Sequence, residues 1–173
     1  MHIFGASGSG VTTLGQELST QLNIPYFDTD DYYWEKTTPP FQLRTPSAKR
    51  NHRLVADLQQ ESDWILGGSL DSWGDFLKSS FDCVVYLWLP KVVRAKRLID
   101  REKERFGEAL PKSSIEFIEW ALAYDNSDRA GRNRLRHELW MPTLPCPLLR
   151  IEKDIDITGK VQLVTNWMQL QRL

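Results

Sequence analysis

Gly5-Ala6-Ser7-Gly8-Ser9-Gly10-Val11-Thr12 follows directly on the apolar triplet His2-Ile3-Phe4, and no other stretch restricts the fold of this chain as tightly. A short buried strand that runs through a glycine-rich loop into a helix lets backbone N–H groups turn inward around phosphate oxygens. The pattern G-x-x-x-x-G-K-[S/T] combines glycines for that turn, a lysine that reaches the β- and γ-phosphates, and a hydroxyl for Mg²⁺. Gly5, Gly10 and Thr12 are in register with it, and Ala6, Ser7, Gly8, Ser9 and Thr13 complete the candidate cradle. Val11 stands where the lysine belongs. The loop predicts nucleotide binding and leaves turnover open.

The rest of the chain alternates short apolar strands with helices. A helix over Val11 to Leu22 places Leu14, Leu18 and Leu22 on one face. Pro25-Tyr26-Phe27 reads as a second strand, ending in Asp28, Asp30 and Asp31, with Asp31 a cap for the following segment. A Pro- and Thr-rich loop spans Lys36 to Pro46, and Ser47 is the expected N-cap of a helix carrying Leu54, Val55 and Leu58. Trp64-Ile65-Leu66 is the third strand, broken by Gly67-Gly68-Ser69. The continuous apolar run Cys83 to Leu89, ended by Pro90, suits a strand buried on both faces. A charged helix follows over Lys91 to Phe106, then a helix opened by the capping box Ser113 and Glu116. Leu148 to Ile151 is the last strand, before a helix carrying Val161, Val164 and Met168. This order predicts an α/β fold: a five-stranded parallel sheet with helices on both faces, as one domain over residues 1–173.

Bulk properties narrow the partners. A net charge of -1 gives no electrostatic reason to expect nucleic acid or a membrane surface. Cys83 and Cys146 form no disulfide framework and read as reduced thiols. The longest apolar run is far too short to span a bilayer, and the expected location is cytoplasmic. The seven tryptophans are scattered along the chain, as core or pocket-wall residues would be.

In such a sheet, ligands bind beyond the carboxyl ends of the strands. The glycine loop, the Asp28–Asp30 pair and Gly67-Gly68-Ser69 all fall there. The functional reading puts Thr12 at a Mg²⁺ ion, makes one of Asp28 and Asp30 serve that ion, and uses the other as base or anchor for an acceptor hydroxyl. Gly67 and Gly68 would let the substrate approach the backbone. The alternatives are a solvated acidic turn and a tight strand exit.

The glycine loop, Phe27-Asp28-Thr29-Asp30, Gly67-Gly68 and Arg94-x-x-Arg97-x-x-x-Arg101 together resemble the adenylate kinase and shikimate kinase group of P-loop small-molecule kinases. The likeness extends over essentially the whole chain. It is nearest to adenylate-kinase-like proteins often called topology modulation proteins or AAA-family ATPases. This resemblance implies ATP and Mg²⁺ as ligands, a small-molecule acceptor, and a helical lid over about residues 105–132. It implies catalytic roles for Asp28, Asp30, Arg97, Arg101 and an arginine beyond the lid, with Arg129 or Arg132 beside Gly131 favoured over Arg136. Residues near Lys153 and Asp154 would border the adenine. The nucleoside-monophosphate signature Asp-Gly-Phe-Pro-Arg is absent after the third strand, which weakens the case for a nucleotide acceptor.

A unit charge about 4 Å from phosphate at an effective dielectric near 20 interacts by roughly 4 kcal/mol. Fully expressed in the transition state, its loss slows transfer by about a thousandfold. Arginines of the lid are the expected substitutes, with Arg94 and Arg105 equally explicable as a solvated helix face, and His137 and Glu138 as surface residues. Three readings follow: an ATP-dependent small-molecule kinase, a degenerate nucleotide or phosphate binder with a regulatory role, and a slow NTPase.

Overall fold

The computed structural model describes residues 1–38, 40–126 and 131–172. Five strands, β1 (His2–Gly5), β2 (Tyr26–Asp28), β3 (Ile65–Gly67), β4 (Val84–Leu87) and β5 (Leu148–Ile151), form one parallel sheet in the order β2-β3-β1-β4-β5. Seven α-helices accompany it among the described residues: α1 (Val11–Leu22), α2 (Thr29–Tyr33), α3 (Ser47–Leu58), α4 (Lys91–Phe106), α5 (Lys112–Leu122), α6 (Arg134–Trp140) and α7 (Ile157–Gln171). None is long and apolar enough to cross a membrane.

Strand side chains alternate between faces, and the sequence supplies an apolar residue at nearly every position. Ile3, Ile65, Val85 and Leu87 pack on one side against Leu14 and Leu18 of α1 and Val164 of α7. Phe4, Leu66, Val84 and Tyr86 pack on the other against Tyr32 of α2, Leu54 and Leu58 of α3 and Trp140 of α6. Each fully buried Leu or Ile contributes about 1.5–3 kcal/mol. The expected fold is therefore the observed one.

Several local expectations change. β2 and β3 each lie one residue further along than the apolar pattern suggests, so that Asp28 and Gly67 are themselves strand ends. The acidic cluster is helical. Asp28, not Asp31, caps α2, its Oδ1 accepting from the backbone N–H of Asp30 at 3.0 Å. Pro46 and Pro111 take the N-cap positions expected for Ser47 and Ser113, because a fixed φ makes the proline a ready helix entry. The Ser113–Glu116 capping box does not form, since Ser113 already lies inside α5.

Arg94 departs furthest from its solvated reading. It is fully buried: its guanidinium donates to the Leu89 carbonyl at 2.9 Å and the Ala121 carbonyl at 3.1 Å, and pairs with Asp125. The first turns of α4 are enclosed by the β4 exit and the end of α5, so this arginine closes a junction. Below it, Leu98 meets Ile118 and Ala121, and Glu102 accepts from Ser114 Oγ at 2.6 Å.

Candidate functional site

The loop after β1 is held by its own buried residues. Ser9 is fully buried, and its hydroxyl and backbone N–H both donate to the Ala6 carbonyl, at 2.7 and 3.1 Å. Gly10 at the N-cap of α1 has φ 98°, a conformation glycine adopts without Cβ strain. No side chain caps α1, and its first turn holds no acidic residue. Its leading N–H groups and positive dipole end thus face the loop interior, as an anion site requires. Val11 is partly buried and packs against the core shared by α1 and α7.

Thr12 Oγ1 donates to Asp28 Oδ2 at 3.1 Å, and the Tyr26 hydroxyl donates to the same oxygen at 2.9 Å. Strand alternation puts Tyr26 and Asp28 on one face, a signal the sequence carried and the motif reading overlooked. The Tyr26 ring fits where glycines leave room: a Cβ on Gly15 would lie 2.2 Å from it, and one on Gly67 would lie 2.0 Å from its hydroxyl. Burial and the Asp28 carboxylate push the Tyr26 pKa up, so it stays a neutral donor. Asp28 is thus oriented by three donors. Among the described residues no three His, Cys, Asp or Glu side chains cluster as metal ligands. A divalent ion here would use the Thr12–Asp28 oxygen pair and complete its shell with phosphate oxygens and water, which suits Mg²⁺.

Asp30 is different. Its side chain is exposed and its carboxylate has no hydrogen-bond partner among the described residues; partial desolvation and Asp28 push its pKa up, with Arg132 and Arg101 opposing. Arg132 crosses from the far side of the expected lid, donating to Ser7 Oγ at 2.5 Å and lying 5.0 Å over the Trp120 ring. Arg129, the alternative, lies outside the described residues. Arg101 lies 3.3 Å from Glu102 and 5.3 Å over the Phe117 ring, and its charge also reaches Asp30, while Arg105 points to Glu102. Arg97 pairs with Asp154 at 2.8 Å beside the loop.

Gly67 and Gly68 require a correction. The space beside them is filled from within, by Tyr26 at Gly67 and at Gly68 by Thr29, whose Oγ1 would sit 1.7 Å from an added Cβ. Gly68 also has φ 106°. Internal packing explains the pair without a substrate.

His137 is a second correction, being fully buried. Ser69 Oγ donates to Asp71 Oδ1 at 2.7 Å, so it must accept from His137 Nε2 at 2.8 Å. His137 Nδ1 then accepts from the Tyr124 hydroxyl at 2.7 Å, which in turn accepts from Tyr86 at 2.9 Å. One chain of donors runs from β4 to Asp71, where Arg136 also binds at 2.8 Å. Burial holds the His137 pKa down at about 3, so the ring is neutral. No sequence motif announces this network; sequence-distant segments assemble it.

The chain is 42% identical to the uncharacterized protein YqaC of Bacillus subtilis over 174 residues, spanning 97% of this chain and 96% of that protein. It belongs to the YqaC family. A shikimate kinase of Dechloromonas aromatica is 31% identical over 72 residues, 38% of this chain and 39% of that enzyme. The fold is that of P-loop small-molecule kinases. It superposes on a shikimate kinase from Acinetobacter baumannii in complex with shikimate with a TM-score of 0.60, at 17% identity over 99% of this chain and 93% of that one. For a shikimate kinase from Bacteroides thetaiotaomicron the TM-score is 0.58, at 21% identity over 99% and 97%. No family model matches.

Proposed function

We propose that this protein binds a nucleoside triphosphate, with ATP the first candidate, and transfers its terminal phosphoryl group to a hydroxyl of a small molecule. The division of labour between Asp28 and Asp30 carries this reading. Asp28 is committed to Thr12, Tyr26 and the α2 N-terminus, while Asp30 is left open beside Arg132. A protein that only binds phosphate has no use for that second carboxylate. Mg²⁺ at Thr12 and Asp28 would neutralise phosphate charge.

Asp30 accepts the acceptor's proton as its oxygen bonds to the γ-phosphorus and the bond to the β-phosphate oxygen breaks. A raised pKa suits that role. Arg132, fixed to the loop by Ser7 and backed by Trp120, faces the charge spread over the transferring group. Residues 105–132 serve as the lid, Arg97 and Arg101 flank the nucleotide, and the nearer kinship to topology modulation proteins belongs to the same reading. Val11 favours a second one, a binder that has lost turnover or hydrolyses slowly.

Thermal unfolding with ATP, ADP, GTP, sulfate and Mg²⁺ tests it. A ligand at a hundred times its Kd adds about 2.7 kcal/mol of stability, so Mg·ATP should raise the melting temperature, and Asp28→Asn should remove the dependence on Mg²⁺. Asp30→Asn should keep the ATP shift and lose any ATP consumption that wild type shows. A shift with sulfate and with no nucleotide sinks the proposal.

A further inference from the structure

Lys160, in the first turn of α7, is 4% exposed, and among the described residues it forms no ion pair. Its ammonium donates only a 3.4 Å contact to the Ser9 carbonyl. A buried cation without a partner carries a heavy desolvation penalty, and this one also sits near the positive dipole end of its own helix. Nothing in the core accounts for it.

Its surroundings give the explanation. A Cβ placed on Gly10 would lie 3.6 Å from Lys160 Nζ and 3.8 Å from Arg97 Nη1, so two cations converge on the turn that leads into α1. The N-termini of α1 and α7 point toward the same region. The acidic groups nearby are Asp154, which pairs with Arg97, and Asp156, which caps α7 by accepting from the Gly159 N–H at 2.7 Å. The two cations and two carboxylates balance in number, but both carboxylates are engaged elsewhere and neither lies at ion-pair distance from Lys160.

We propose that Lys160, with Arg97 beside it, restores from α7 the phosphate-binding charge that Val11 fails to supply, and so holds the phosphate chain of the bound nucleotide against the loop. This rests on the nucleotide reading above and adds one residue to it. The lysine reaches the loop from α7 at Ser9 and Gly10, and Arg132 reaches it from the lid side at Ser7. Burial and the Arg97 guanidinium press the Lys160 pKa below the ordinary lysine range. A bound polyphosphate would relieve both effects.

The test uses the full chain and calorimetric titration with Mg·ADP and, separately, with tripolyphosphate, which has no base or ribose. Wild type should bind both. Lys160→Met should weaken both by about tenfold to a hundredfold, the range for a charge interaction of this reach, and Lys160→Arg should retain most of the affinity. Val11→Lys in the Lys160→Met background should restore it. If Lys160→Met fails to fold, Lys160→Gln, which keeps a donor for the Ser9 carbonyl, takes its place. Unchanged affinity in a folded neutral variant overturns this inference and leaves the nucleotide reading standing. A loss confined to Mg·ADP also overturns it, by moving Lys160 to the base or ribose. If wild type binds neither compound, both proposals fall.

Discussion

Acidification should weaken this protein through His137, by an amount that follows from burial. In the folded state its pKa is held down at about 3, against 6.5 for a free imidazole. A histidine whose folded pKa is depressed contributes stability that is complete above the unfolded value and is lost as pH falls below it. From about pH 7 to about pH 5 the unfolded ring gains its proton while the folded ring does not. At about 1.4 kcal/mol per pH unit below 6.5, the loss is about 2 kcal/mol. The figure is set by the unfolded pKa, because at that pH the folded ring is still far from titrating. His2 is also fully buried and held at about 3, and adds a similar loss of its own.

The assay is urea denaturation of wild type and His137→Gln at both pH values, compared as a difference so that other groups cancel. Wild type should lose about 2 kcal/mol more than the variant. Imidazole nitrogen shifts should also show the proton on Nε2, as the Ser69–Asp71 direction of the chain demands. Equal losses, or a proton on Nδ1, would refute the reasoning.

Two further outcomes test the packing beneath the site. Arg94→Met strips the donors from the Leu89 and Ala121 carbonyls and removes the cation paired with Asp125, which among the described residues keeps only the Trp88 indole N–H. Because Asp125 is partly solvated, the lower end for a broken buried pair applies, a loss of about 3 kcal/mol; one below about 1 kcal/mol in denaturant titration would contradict the structure. Gly68→Ala should cost well over about 1 kcal/mol, since φ is 106° and Thr29 fills the space. Gly74→Ala is the control: its φ is 95° but its nearest neighbour is Phe76 at 3.9 Å, so its melting temperature should fall less.

By itself, the sequence determined the sheet, the loop and the position of the acidic pair. Those features are local: period-two apolar strands, a glycine pattern between strand and helix, and carboxylates at a strand end can all be recognised within a few residues. It also placed Arg132 among the arginines that could meet the loop, because the resemblance put the far end of an expected lid there. The identity of Val11 was plain from the start; what could replace it was not.

Only the tertiary structure decided which charges lie together. Arg94 and Arg97 are three residues apart in one charged helix, yet one is entombed against carbonyls and the other is exposed beside the loop. Lys160 lies 151 residues from Ser9 along the chain, and no periodicity within α7 foretells that its amine ends at a loop carbonyl. Gly67 and Gly68 could be located in advance, but what filled the space beside them depended on β2 lying next to β3. His137 joined a buried chain because α6 closes over the sheet face carrying Phe4 and Tyr86. Local patterns fix secondary structure through steric and solvent preferences of neighbours in sequence. The electrostatics of the site depend on distances between residues far apart in the chain, and folding alone sets those distances.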